Sequence, residues 1–345
     1  MDSTPEQSAV LESHDPQRVS SMRRVFIGPF GLRAGWSLLI YFTILFFIIF
    51  SGHVIQQHVE AKHSHSAITT RPTDSSVPVT KSLAAAPMLT RTFFEDMAFP
   101  ILLLLSWLMA AAEHRKLSAF GLGGVHSLSR FLAGAAWGFL AMSLLIVILH
   151  GFHLLSFDSR LLHGLAIFRW GFIQFFAFLF VGLVEEYAFR GYLQFTLTRG
   201  LVCIGNLVSR PHARVIAFWL ASSITSVLFL LAHTHNSGEN KLGLLQVFVA
   251  GIVFVIALWR TGSLWWAIGF HMAWDWAQSF LYGVPDSGGL MQGRLFATHA
   301  IGNSFFSGGT DGPEGSVFCI PILLLVIVVL FFTHTSPQPS LEINS

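Results

Sequence analysis

An all-α, polytopic membrane helix bundle of about eight transmembrane helices is the fold class this sequence predicts. Of its 345 residues 53% are hydrophobic and only 11% are charged, where an ordinary globular chain carries about 25% charged residues. Mean hydropathy is +0.63. The apolar residues fall in runs of about 20, long enough at 1.5 Å per residue to cross a hydrocarbon core near 30 Å. A net charge of +2 with no long basic stretch excludes a nucleic-acid partner. Cys203 and Cys319 match no metal-ligand or redox spacing.

Residues 1–30 are polar and of mixed charge, without the basic-then-apolar start of a cleavable signal, and read as a disordered cytoplasmic tail. The first span runs from Gly35 to Ile55. A polar stretch at 56–92 follows, with His58, His63 and His65 after His53 at the membrane edge. Ser, Thr and Pro dominate it and no carboxylate or cysteine set completes a metal shell, so it reads as a solvated loop. The second span is expected over Phe93–Ala112, with Glu95 and Asp96 at its entry, where a helix N-terminus favours anions.

A connector at 117–125 leads to the third span, Phe131–Leu154, whose Gly134, Ala135, Ala136 and Gly138 point to close helix packing. The fourth, Ile167–Leu197, is longer than one crossing needs. Spans five, six and seven are expected over Val215–His233, Leu242–Trp259 and Leu264–Tyr282; a Gly-rich loop at 283–315 precedes the eighth, Val317–Phe332, and a tail at 336–345. Lys and Arg gather beside spans one, three and five on the N-terminal side, which predicts cytoplasmic N- and C-termini in a cell inner membrane. No internal repeat supports an inverted-repeat transporter.

The stretch Leu183–Tyr192 carries the chemistry, because it sets Glu185, Glu186 and Arg190 in an apolar run. Each charge near a bilayer centre costs about 2.5–3.5 kcal/mol on insertion scales, so three unpaired would cost about 10 kcal/mol. Glu186 and Arg190 stand four apart and can neutralise each other. Glu185 lies well round the helix from Arg190 and is free to face a cavity. Two further polar points follow: Phe229 to His233 at the end of span five, and His271 to Asp275 inside span seven, each pair sharing a helix face. Asp275 can orient the imidazole of His271. A single histidine in a membrane helix is more often an interhelical hydrogen bond than a catalyst; two on separate spans beside a Glu-Glu-Arg span point to a site.

Glu185-Glu186-xxx-Arg190, Phe229-xxx-His233 and His271-xxx-Asp275 together resemble the three successive signatures of the CPBP intramembrane proteases. That group includes type II CAAX prenyl endopeptidases and bacteriocin-processing or immunity proteins. The resemblance covers 129–283 and implies peptide-bond hydrolysis in a protease domain at 31–335 with its catalytic core at 165–283. It implies Glu185 as the base that activates water, His233 and His271 as its partners, and Glu186 and Arg190 as supports that tune Glu185. The family position matching Asp275 is often Asn, an oxyanion donor; an ionised Asp cannot donate, so Asp275 must be protonated or act through His271.

The expected substrate is a membrane-embedded or lipidated protein or peptide, the prenylated CAAX type being one that the resemblance implies, met in the lipid bilayer. No cofactor is required on the favoured reading. Glu185, His233 and His271 also have the composition of a His₂Glu zinc shell, an alternative the sequence leaves open. His-Glu-x-x-His and Gly-x-Ser-x-Gly are missing. A reading from another class also stands, in which the same polar cavity serves a non-catalytic scaffold or immunity protein, or a proton-coupled transporter. Every hydrolytic version requires residues from three helices to converge, yet counting along the spans sets Glu185 toward one rim and His233 toward the other.

Overall fold

The computed structural model describes residues 25–28, 31–69, 88–234 and 240–334, with the backbone alone at Ile49, Gly52, His53, 55–69 and 88–97. The tails expected at 1–30 and 336–345 fall outside it except for 25–28, as does 70–87 of the expected polar loop. Helices dominate: α1 (Ala34–Thr69), α2 (Met88–Ala112), α3 (Ser127–Gly151), α4 (Leu165–Glu186), α5 (Gln194–Val208), α6 (Ala213–His233), α7 (Lys241–Thr261), α8 (Trp265–Trp276), the single turn α9 (Ser304–Ser307) and α10 (Cys319–Thr333). Each expected span coincides with a helix. Four stretches, Ser127–Gly151, Leu165–Val208, Arg210–His233 and Lys241–Thr261, have the length and apolarity to cross a membrane, and shorter apolar helices occur at 34–48, 98–112 and 319–333. The chain is an integral membrane helical bundle, and the number eight is not reached on length and composition.

Two expectations need correction. First, α1 does not stop at Ile55 but stays helical to Thr69, so the first part of the expected loop prolongs the helix. His58, His63, Glu60 and Lys62 there are ordinary helix formers or neutral to helix, and Pro72 is the first strong stop. Second, the loop at 283–315 is not featureless: β4 (Phe296–Ala300) pairs antiparallel with β3 (Leu155–Arg160), from Leu155 opposite Ala300 to Arg160 opposite Phe296, with an irregularity between Phe157 and Ser159. A second, two-residue pairing joins β1 (Ile27–Gly28) and β2 (Gly31–Leu32).

Glycine decides how closely α3 and α8 approach. A Cβ at Gly134 would lie 2.0 Å from the Trp266 carbonyl oxygen, one at Gly138 2.2 Å from that of Phe270, and one at Gly269 2.1 Å from that of Phe131. Backbone therefore touches backbone along this pair, as the small residues of the third span predict. The apolar faces of α3, α7, α8 and α10 close around Leu145, Val253, Trp266 and Leu323, all nearly inaccessible. On the other side α1, α2 and the α4–α5 junction enclose Tyr41, Leu105, Tyr187 and Tyr192.

Candidate active site

The α4 helix does not simply end at Glu186. A π-helical segment, Tyr187–Leu193, links it to α5, and Gly191 inside it takes φ −84° and ψ −107°, outside helical values. A side chain at 191 would meet the Tyr187 ring at 2.9 Å and the Phe120 carbonyl at 3.1 Å, so only glycine lets the chain bend there. Insertions of this kind gather at functional sites because they rotate one helix face against the next. The whole stretch from Leu165 to Val208 is 44 residues long, and Glu185 lies close to its middle.

Helix α6 returns antiparallel to α5 and is the longer, 21 residues against 15. Its last turn and a half therefore overruns α5 and brings His233 back to the level of Glu185. Gln194 fixes this register: its Nε2 donates to Ser222 Oγ at 2.9 Å and to the Phe218 carbonyl at 3.2 Å, while Thr225 Oγ1 donates to its Oε1 at 2.7 Å. The opposite-rim conflict in the sequence is thus removed by a helix longer than one crossing and bent at Gly191.

Glu186 and Arg190 form the expected pair, with Nη1 donating to Oε1 at 3.1 Å and both side chains fully buried. The guanidinium lies 4.0 Å from the Phe229 ring centroid and 5.3 Å from that of Phe254. Gly251 on α7 makes room for it, since a Cβ there would approach Arg190 Nη2 to 3.0 Å. Glu186 Oε1 also accepts from His271 Nδ1 at 3.1 Å.

Both imidazoles are held the same way round. His233 donates Nδ1–H to the Phe229 carbonyl at 2.8 Å, and His271 donates Nδ1–H to Glu186. That leaves each Nε2 toward Glu185 Oε2, at 3.9 Å from His233 and 3.8 Å from His271. Phe254 stacks on the His271 ring at 5.2 Å with planes 19° apart. His271 Nε2 also stands 3.4 Å from Asp275 Oδ2, a contact between two lone-pair carriers that requires a proton between them.

These side chains line a cavity of about 870 Å³, whose walls include Ala98, Phe178, Val181 and Phe254 and, from the loop after α8, Leu290 and Met291. Such a volume suits a peptide segment or a ligand of similar size. Glu185 is the exposed member of its dipeptide, with a side chain 28% accessible against 0% for Glu186.

All six residues singled out from the sequence, Glu185, Glu186, Arg190, His233, His271 and Asp275, therefore meet at one place. Asp275 touches His271 at Nε2, and a second carboxylate that the sequence did not assign to this ring, Glu186, is hydrogen-bonded to its Nδ1. That contact crosses from α4 to α8, so no spacing along one helix could reveal it. Asp286 and Glu314, which also line the cavity, went unread because they sit in a Gly-rich loop without periodicity.

The zinc alternative can be judged on the same distances. Donors about 2.1 Å from a tetrahedral zinc stand about 3.4 Å apart, so the 3.8 and 3.9 Å separations around Glu185 Oε2 are a few tenths of an ångström too long. The donor types and the anchored Nδ1 atoms fit zinc; the spacing is looser than a closed shell. Among the described residues, the three-residue set with donor atoms close enough to hold a cation is a different one, Asp275, Asp286 and Glu314.

Residues 168–277 match the family model described as type II CAAX prenyl endopeptidase Rce1-like. The matched stretch contains all six residues, and the family suggested by the motifs is thereby the one found. Neither a curated protein nor a solved structure gives a match.

Proposed function

We propose that this chain is an intramembrane endopeptidase that hydrolyses a peptide bond of a membrane-associated protein or peptide with water activated by Glu185, its catalytic core lying at 165–283. The observation that carries the reading is Glu185 Oε2 held between two imidazole Nε2 atoms, at 3.8 and 3.9 Å, on the wall of a cavity large enough for a peptide. The Rce1-like match over 168–277 supports the reaction class, and with it a lipidated, CAAX-type substrate as the first class to try.

In the proposed reaction Glu185 takes a proton from water as the water oxygen attacks the scissile carbonyl. The carbonyl π electrons move to oxygen, and an Nε2–H on a doubly protonated His233 or His271 ring meets the developing oxyanion. Collapse of the tetrahedral species breaks the C–N bond, and the proton held by Glu185 passes to the leaving amine. Glu186 and Asp275 act as positioning residues on His271, and Arg190 pairs with Glu186 and holds it in place. The apolar walls exclude bulk water and strengthen each of these interactions.

Zinc is the second reading, favoured by one observation, the Nε2, Nε2 and Oε2 donors turned toward one another. His233, His271 and Glu185 would hold it, and it would supply Lewis-acid activation of water. The reading that requires no metal rests on the spacing given above. Cytoplasmic termini in a cell inner membrane belong to the same proposal, supported by the Lys and Arg distribution.

The test compares wild type with Glu185→Gln, reconstituted in vesicles, on a prenylated CAAX-type peptide and a single-pass protein. Wild type is expected to cleave at least one, and Glu185→Gln to lose at least a hundredfold in rate while keeping its melting behaviour. Cleavage by the variant at the wild-type rate overturns the base assignment. A wild type that cleaves nothing but moves a solute or confers immunity overturns the enzyme reading.

A further inference from the structure

Carboxylates from three separate parts of the chain meet on the loop side of the cavity, and the hydrolytic reading leaves two of them without a role. Asp275 on α8, Asp286 in the loop that follows it and Glu314 in the short turn Pro313–Gly315 each bring one oxygen to within 4.8 Å of the others. Neutral donors steer two of them. Ser279 Oγ donates to Asp286 Oδ2 at 3.2 Å, and Trp274 Nε1 donates to Glu314 Oε1 at 2.8 Å. Among the described residues, no Lys or Arg forms an ion pair with any of the three, and the His271 imidazole beside Asp275 is the basic side chain in reach.

A second feature points the same way. Gln246 on α7 lines this cavity and is 2% exposed. Its Nε2 donates to the Ser316 carbonyl at 2.7 Å, two residues along from Glu314. That bond fixes the amide plane and leaves Oε1 as a buried acceptor without a partner among the described residues. A buried amide oxygen without a donor, on a residue in the wall of the cavity that also holds the three convergent carboxylates, adds an acceptor that a cation would satisfy.

We propose that Asp275, Asp286 and Glu314, with Gln246 Oε1 as a neutral fourth oxygen, form a site for a hard divalent cation of the Mg²⁺ or Ca²⁺ class. An all-oxygen donor set selects such ions over zinc, which favours nitrogen and sulfur. The ion ties the loop at 283–315 to α7 and α8, and so holds Leu290 and Met291 in the cavity wall. This site uses other donors than the Glu185–His233–His271 set, which it adjoins through Asp275, 3.4 Å from His271 Nε2, and it does not depend on the chain being a protease.

Mn²⁺ is the probe, titrated by electron paramagnetic resonance into the full-length protein in detergent, with Mg²⁺ and Ca²⁺ as competitors. The expected result is one Mn²⁺ per chain, displaced by a competitor. Asp286→Asn and Glu314→Gln should each weaken binding at least tenfold, while Glu185→Gln and the exposed-acid control Asp158→Asn leave it unchanged. Should Glu314→Gln fail to fold, Asp286→Asn alone decides. No Mn²⁺ bound to wild type at about 1 mM, the weak end of oxygen-ligated sites, overturns the proposal; so does binding that survives Asp286→Asn, and so does binding abolished by Glu185→Gln.

Discussion

Replacing Arg190 with Met leaves Glu186 as a carboxylate with 0% side-chain exposure and His271 as its remaining polar partner. Removing one partner of a buried ion pair typically costs about 3–5 kcal/mol, most of it the desolvation of the charge left behind. The guanidinium also lies 4.0 Å from the Phe229 ring centroid, a desolvated cation–π contact worth about 2 kcal/mol, which Met replaces with apolar packing. A loss of about 4 kcal/mol is therefore expected for Arg190→Met. The double variant Arg190→Met with Glu186→Gln removes both charges and should recover more than half of it. Reversible denaturation in mixed micelles, run on wild type, both single variants and the double, gives the coupling energy directly. A loss below about 1 kcal/mol for Arg190→Met, or a double variant as unstable as the sum of the singles, refutes the view that this pair exists to neutralise itself inside the bundle.

Three other outcomes follow from the same structure. Gly138→Ala should destabilise by more than about 2 kcal/mol, the cost of overpacking, because its Cβ would meet the Phe270 carbonyl at 2.2 Å, whereas Gly151→Ala, with nothing within 4 Å, should be neutral or slightly stabilising; thermal melts compare the two. Glu186→Gln keeps an acceptor for His271 Nδ1 but removes the charge opposite Arg190, so its cleavage rate should fall by about 10 to 100-fold with KM little changed, read by steady-state kinetics. Burial, with Glu314 beside it, pushes the Asp311 carboxyl from 3.8 up to about 7. Between those values the folded chain holds a proton that the unfolded chain has released, so stability should fall as pH rises through this window and level off above it. Asp311→Asn should flatten that slope in melts run with chelator present.

How much of this was legible depends on whether a contact lies along one helix or between two. The Glu186–Arg190 pair is an i to i+4 relation, and the Gly134 and Gly138 spacing marks a helix-packing face, so the sequence alone points to both. The hydrogen bond from His271 to Glu186 depends on how α8 is rotated against α4, which hydropathy does not encode. The segment Tyr187–Leu193 contains no proline and a single glycine, and its π geometry leaves no mark on composition. Yet this bend and the length of the α4–α5 stretch are what reconcile Glu185 with His233. Asp286 and Glu314 are carried into the cavity by a loop pinned through β3 and β4, a pairing 136 to 145 residues apart in the chain. Short strands flanked by glycines give too little alternation to be read as partners. The helical continuation of α1 to Thr69 was hidden by polar residues that suit a solvated helix as well as a loop.

The most direct trial of Glu185 as a base working without a metal is the cleavage rate of vesicle-reconstituted protein before and after treatment with a zinc-selective chelator, with metal content measured on the same samples. The rate should persist at substoichiometric zinc and disappear in Glu185→Gln. A rate lost with the zinc and restored when zinc is returned would assign the water to a metal held by Glu185, His233 and His271 instead.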